Sequence, residues 1–195
     1  MKVCQAGINF FLIVLVGCLT ACAQNKQGTE VVFWKPGERL DFSDFKAKPK
    51  QDSANNSTVN NIHKLGVIVK SIDVQIITSN DKTVFTIYAG MIPGLSWIKT
   101  SGDSITLRHE QGHFDICEIY ARRLRKDIRN VASIKEAKKL YNKISLEEEA
   151  EHDIYDSENK YSNGGIIPAW RKKIERQLLL LQQYQQPVVE MVFRK

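Results

Sequence analysis

The sequence predicts a single α+β domain in which a small antiparallel sheet is followed by helices. Apolar and polar residues alternate with a period of two between positions 62 and 89, a pattern typical of half-buried strands. From position 104 onwards, apolar residues recur instead at helical spacing over long stretches. The sequence contains no internal repeat and no sign of a second domain, so one domain is expected over residues 31–195.

The elements of the sheet are expected in the first half of the chain. Two alternating runs flank the turn-forming sequence Ser79-Asn80-Asp81-Lys82, which predicts an antiparallel hairpin near Asn80. Three further segments precede these runs. They are an extended piece at 30–34, a turn or short helix at 40–45, and a polar loop at 46–57.

Three helices and a final strand are expected in the second half. The sequence Ser-Gly-Asp at 101–103 precedes the first helix, and Ser-Asn-Gly-Gly at 162–165 ends the second. Pro187 precedes the last apolar run. The predicted helices and the predicted strand cover residues 104–130, 134–159, 170–183 and 188–193.

The first residues resemble an export signal. The chain begins with Met and Lys, continues with an apolar run at 8–16, and reaches the sequence Leu-Thr-Ala-Cys at 19–22. The apolar run is shorter than the ~20 residues of an ordinary transmembrane helix. Because the ending is similar to a bacterial lipobox, we expect residues 1–21 to be a lipoprotein signal peptide and Cys22 to carry lipid. The alternative is an ordinary signal peptide with a chance cysteine.

A lipid on Cys22 would place the protein in the cell envelope, bound to a membrane through this anchor. Residues 22–30 are polar and are expected to form a short tether. Ala23 is unlike an inner-membrane retention signal, which favours the outer membrane. The other cysteine of the mature chain, Cys117, lies in an apolar helical stretch and is expected to be buried, so no internal disulfide is predicted.

The net charge of +6 comes from basic residues in helical runs at 122–126, 135–139 and 171–176. Neither aromatic interleaving nor a nucleic-acid-binding motif accompanies them, so no nucleic-acid partner is expected. We interpret these runs as solvated helix faces. Attraction to an anionic membrane surface is the alternative.

The residues that carry chemistry are His109, Glu110 and His113, which form the motif HExxH inside the first predicted helix. Residues four apart lie on one helix face, so the two imidazoles can reach one zinc ion. Glu110 is adjacent to the first ligand and can act as the base that takes a proton from a zinc-activated water. A helix that carries two histidines by accident is the alternative. Gly112 is expected to let a strand or substrate approach closely.

The sequence around this motif closely resembles the DUF922 family of bacterial secreted proteins, which are predicted zinc-dependent proteases. The resemblance covers nearly all of the mature chain. It implies a zincin-like active-site helix and a zinc cofactor. The similar segments are those that begin at the motif, at Leu40-Asp41-Phe42-Ser43-Asp44-Phe45, at Ser96-Trp97-Ile98-Lys99 and at Tyr155-Asp156-Ser157-Glu158, together with Trp170.

The chain departs from the family where a histidine is expected, because Tyr161 stands there. The third zinc ligand must then be Tyr161 itself or another donor nearby. Asp156 is our first candidate, since a carboxylate binds zinc well and its position matches the family pattern. Tyr161 is the second and His152 the third, while Glu148 and Glu151 are further donors nearby. The acidic run at 147–149 is otherwise interpreted as a solvated patch, and His152 as a surface residue.

We therefore expect a cell-envelope zinc metalloendopeptidase that acts on a peptide or protein substrate. The active helix should pack on the sheet and leave a cleft, with residues 83–88 as an exposed edge strand for an extended peptide. A catalytically inactive lipoprotein scaffold with the same fold is the main alternative. A zinc hydrolase acting on a non-peptide amide is another.

Overall fold

The computed structural model describes residues 30–49, 65–159 and 166–193. Within them the fold is mixed α+β, as predicted, with small antiparallel sheets and three helices. The predicted signal peptide, the lipidation site Cys22, nearly all of the tether, most of the polar loop and Tyr161 lie outside the described residues. No helix in the described ranges is both long enough and apolar enough to cross a membrane.

The main sheet is built around a long hairpin. The strands are β1 (Val32–Phe33), β2 (Gly66–Val67), β3 (Lys70–Ser79), β4 (Lys82–Met91), β5 (Trp97–Ile98) and β6 (Val188–Val192). β3 and β4 pair along ten residues each, and the turn between them places Asn80 at φ 55°. Asn tolerates this left-handed conformation better than most residues, which confirms the predicted hairpin.

β4 is the central strand, and the expectation of an exposed edge at residues 83–88 is wrong. β3 pairs with one side of β4, while β6 and β1 pair with different parts of the other side. Val84 faces Ile77 in β3 and Glu190 in β6. The alternation of residues could not reveal this, because edge and central strands share a period of two. β2 and β5 form a separate two-stranded sheet.

The three helices are α1 (Ser104–Asp127), α2 (Ile134–Asn159) and α3 (Pro168–Leu180). Asp103 caps α1, because its Oδ1 accepts hydrogen bonds from the backbone amides of Ile105 and Thr106, each at 3.1 Å. α1 packs on β3 and β4, and α2 and α3 contact α1 in turn. Core residues of α1, such as Cys117, are fully buried, as expected.

The basic run at 122–126 is only partly a solvated face. Arg122 and Arg125 are each 2% exposed and both bind the carboxylate of Glu118, which is also buried. Arg125 donates further to the carbonyl oxygen of Ile87 in β4 and to that of Tyr184 beyond α3. The interpretation as a solvated face is therefore wrong for these two arginines, because buried charges with this many partners fasten α1 to β4 and to the chain after α3.

Candidate metal centre

Three donor side chains converge between α1 and α2. The Nε2 atoms of His109 and His113 lie 3.1 and 2.9 Å from the same oxygen, Oδ1 of Asp156. The two histidines sit one turn apart on α1, and α2 presents Asp156 to that turn. The nearest donor atoms of the three residues all lie within 4.8 Å of one another. The structure thus brings together the three residues that the sequence predicts as ligands.

The two separations that involve Asp156 are close to those around a small tetrahedral ion, and the two histidine nitrogens lie within 4.8 Å of each other. Bonds of ~2.0–2.1 Å to zinc place ligand atoms roughly 3.3 Å apart. The observed contacts of 2.9 and 3.1 Å are close to that value. The side chains of His109 and His113 are 17% and 10% exposed, whereas that of Asp156 is 55% exposed. The group is therefore open to solvent on the side of Asp156.

The pKa values of His113 and Asp156 favour a neutral imidazole and an ionised carboxylate. Burial, the largest influence, lowers the pKa of His113 to about 4, so its imidazole is neutral at pH 7. Burial raises the pKa of Asp156, but hydrogen bonds from His109 and His113 outweigh it and hold the pKa well below its usual range. A neutral imidazole and an ionised carboxylate are the forms that coordinate zinc.

Glu110 projects from α1 toward the two-stranded sheet. It is 4% exposed, and its Oε2 accepts a hydrogen bond from the backbone amide of Ile68 at 3.0 Å. Its Oε1 lies so close to the backbone of Gly66 that a Cβ there would be only 2.8 Å away. β2, rather than residues 83–88, is therefore the strand next to this carboxylate.

Tyr155 is a site residue that the sequence did not single out by itself. Its ring stacks on His109 with centroids 4.8 Å apart and meets His113 edge-on at 4.7 Å. Its hydroxyl donates to the backbone carbonyl of His109 at 3.0 Å. A Cβ at Gly112 would lie 2.1 Å from this hydroxyl. Gly112 therefore admits Tyr155, and in the described residues this side chain, not a strand, makes the expected close approach.

His152 and Glu148 are buried, contrary to their interpretation as a surface residue and part of a solvated patch. His152 is 8% exposed and Glu148 is 7% exposed. Nδ1 of His152 lies 3.0 Å from Nδ1 of His113, on the opposite side of that ring from Asp156. His152 is thus placed behind His113 and not among the three converging atoms. The spacing of four residues between Glu148, His152 and Asp156 was the signal that they share one helix face.

A cavity of about 530 Å³ lies between α1 and α3, next to the segment Arg39–Leu40. Its walls include Gln111 and Gly112 of the motif. α1 itself packs directly on β3 and β4. Among the described residues, this space therefore lies on the α3 side of the helix, not between the helix and the sheet where a cleft was expected.

Comparison with known proteins finds no family model, no curated protein and no solved structure that matches this chain. The similarity to DUF922 therefore stays a prediction from the sequence. What the structure contributes is independent of it, namely a group of two histidines and one aspartate that could hold a metal ion.

Proposed function

We propose that this protein is a zinc-dependent metallopeptidase of the cell envelope, with a zincin-like active-site helix. One observation carries the proposal: one donor atom each of His109, His113 and Asp156 lies within 4.8 Å of the other two, and both histidines stand on the helix that also bears Glu110. Two of the three come from a motif whose spacing is known to suit zinc. The third comes from α2, distant in sequence, so helical periodicity alone does not account for the convergence.

The residues present fit a catalytic zinc ion in their chemistry. Catalytic zinc sites commonly use three protein ligands drawn from histidine nitrogen and carboxylate oxygen, and keep a fourth position open. His109, His113 and Asp156 supply such a set. The partial exposure of Asp156 leaves this side accessible to water and substrate. A structural zinc site, in contrast, would close all four positions with protein ligands.

In the proposed reaction, each residue has one task. His109, His113 and Asp156 would hold the zinc ion, which supplies Lewis acidity for activating water and for stabilising charge on a substrate carbonyl oxygen. Glu110 accepts the proton of the attacking water and passes it to the leaving amine. Burial keeps the Glu110 carboxylate out of bulk water, while the Ile68 amide holds one of its oxygens in place.

A catalytically inactive scaffold is the second candidate. It is favoured by the engagement of Glu110, whose Oε2 already accepts a hydrogen bond from the Ile68 amide. A carboxylate used only to fasten β2 to α1 would serve a structural role. The two candidates differ in whether a zinc-loaded protein turns over a peptide.

The test compares wild type, Glu110→Gln and the control Glu149→Gln, an exposed residue of α2. Zinc content and hydrolysis of a fluorogenic peptide library are measured on each. We expect one zinc ion per chain in all three proteins and a loss of turnover of about 10²–10⁴-fold in Glu110→Gln alone. Wild type that holds zinc but cleaves nothing would favour the scaffold, and wild type that binds no zinc would contradict the proposal.

A further inference from the structure

The cavity between α1 and α3 is large enough for a small molecule and lies away from the candidate metal centre. Its volume of about 530 Å³ falls within the ~300–1,000 Å³ of typical ligand pockets. The residues of α1 that face it, among them Ser104, Gln111 and Asp115, recur at helical spacing. Because successive helical residues are about 100° apart, these residues point roughly 150° away from His109 and His113 around the helix. The cavity is therefore a separate space and not an extension of the metal centre.

The walls of this cavity are held in place by hydrogen bonds within the protein. On one side, the backbone amide of Leu40 donates to Oε1 of Gln111 at 2.8 Å. On the α3 side, the carbonyl oxygen of Leu178 accepts a hydrogen bond from the buried side chain of Arg122 at 2.7 Å. A pocket with fixed walls binds at a lower cost in conformational entropy than one that must first be ordered.

The interior of the cavity is apolar and offers few hydrogen-bonding groups. Its hydrocarbon walls come from Leu40, Leu107, Ile166, Ile174 and Leu178. The amide of Gln111 also faces it, but its oxygen accepts from Leu40 and its nitrogen donates to Asp115. Burying a peptide backbone here would leave polar groups without partners, which costs free energy. A hydrocarbon chain needs no such partner and gains free energy when it is buried.

The charged residues around the cavity favour an anion. Among the described residues that line it, three are cations and two are anions: Arg39, Arg108 and Arg171 against Asp115 and Glu175. Arg39 is paired with Asp115 at 3.2 Å. One positive charge is in excess, and guanidinium groups bind carboxylates and phosphates well. A carboxylate balances one charge, whereas a phosphate monoester carries about −1.5 to −2 at neutral pH.

We propose that this cavity is a second ligand site, which binds a fatty acid. The hydrocarbon chain lies between α1 and α3, and the carboxylate is bound at the rim by Arg108 of α1 and Arg171 of α3. Both arginines are exposed, so the charged end of the ligand stays in contact with water. This site requires neither a metal ion nor peptidase activity.

The first test measures binding by calorimetry to the full chain carrying Cys22→Ser, so that no attached lipid competes for the cavity. The probes are decanoate, octanoate and uncharged 1-octanol, each below its aggregation limit. We expect one decanoate per chain. Decanoate should bind about 15-fold more tightly than octanoate, because two more methylenes are buried. Octanol should bind more weakly than octanoate, since it lacks the charge.

Methyl NMR spectra of the same protein locate the bound probe. Addition of decanoate should shift the methyl signals of Ile174 and Leu178, which line the cavity. The signals of Val192, which is 60% exposed on the sheet, should not move and serve as the internal control.

The second test removes the two arginines assigned to the carboxylate. Arg108→Gln/Arg171→Gln should bind decanoate about 10–100-fold more weakly, because hydrogen bonds to a charged group are lost. The matched control is Lys172→Gln/Arg176→Gln, which removes the same charge from exposed positions of α3 that are not among the described walls of the cavity. In physiological salt, which screens exposed charges, this control should bind decanoate as wild type does. Thermal unfolding checks that both variants are folded.

Several results would overturn the inference. These are equal affinity for octanol and octanoate, equal weakening in the two double variants, and tighter binding of decyl phosphate than of decanoate. The absence of saturable decanoate binding, or shifts at Val192 without shifts at Ile174 and Leu178, would also overturn it. None of these measurements involves zinc or peptide cleavage, so this inference and the proposed function can fail independently.

Discussion

Replacing Gly112 with alanine tests how closely α2 must approach the metal-binding turn of α1. A Cβ at this position would lie 2.1 Å from the hydroxyl oxygen of Tyr155 and 2.7 Å from its Cζ. Ordinary contacts begin near 3.4 Å, so the ring would have to move by about 1 Å. Tyr155 is completely buried and packs edge-on against Trp170 at 5.1 Å, which leaves little room for that movement.

The expected change in the free energy of unfolding is the sum of two destabilising contributions and one stabilising contribution. Overpacking of a filled core costs about 1–3 kcal/mol, and loss of the bond from Tyr155 to the His109 carbonyl costs about 0.5–1.5 kcal/mol. Alanine gains about 1 kcal/mol over glycine inside a helix. We therefore expect Gly112→Ala to lower the free energy of unfolding by about 1–3 kcal/mol. Displacement of Tyr155 should also move its neighbour Asp156 and weaken zinc binding.

The assay is urea unfolding of the metal-free protein combined with zinc competition. Gly94→Ala is the control, because a Cβ there has no neighbour within 4 Å. Tyr155→Phe removes the nearest atom, so Gly112→Ala should destabilise that variant less than it destabilises wild type. If Gly112→Ala is as stable as wild type and binds zinc equally well, the packing of Tyr155 against α1 has been misjudged.

Three further predictions address the ligand, the base and the anchor. The zinc affinity is measured side by side for three variants, Asp156→Ala, Tyr161→Phe and His152→Ala. It should fall most in Asp156→Ala, by more than the ~10–100-fold that is usual when a residue hydrogen-bonded to a metal ligand is removed. An unchanged affinity of Asp156→Ala would exclude Asp156 as a ligand. Gly66→Ala should keep zinc but lower kcat, because its Cβ would lie 2.8 Å from Oε1 of Glu110; wild-type kcat would show that this carboxylate adapts freely. Cys22→Ser should release the protein from the membrane fraction, since lipid contributes ~0.8 kcal/mol per buried methylene; unchanged membrane association after normal processing would contradict the anchor.

Local order was predictable where one physical signal dominates. The second helix was expected at 134–159 and occupies Ile134–Asn159. The first begins at Ser104, as its Asp103 cap and apolar spacing indicate. The turn at Asn80 followed from its side chain and from the strands around it. These features depend on residues close in sequence, which is why a single chain is enough to find them.

The arrangement of partners distant in sequence was less accessible. Nothing in the alternation of residues 83–88 indicates that β6 returns to cover them. Charged residues such as Arg122, Arg125 and Glu148 usually lie at the surface. Here ion pairs with partners distant in space offset the cost of burying their charges. For the candidate site, the two histidines and Glu110 followed from spacing alone. Asp156 required the family resemblance, and the place of His152 behind His113 depends on how α2 packs on α1.

His109, His113 and Asp156 are proposed to bind one zinc ion together. X-ray absorption at the zinc edge of the purified, zinc-loaded protein measures the ligand set directly. We expect one zinc ion per chain, four-coordinate, with two imidazole ligands and oxygen neighbours at ~2.0–2.2 Å. In Asp156→Ala we expect weaker binding, and either one oxygen neighbour fewer or a second water in place of the carboxylate. A zinc content well below one ion per chain, or a spectrum without imidazole scattering, would contradict this ligand set.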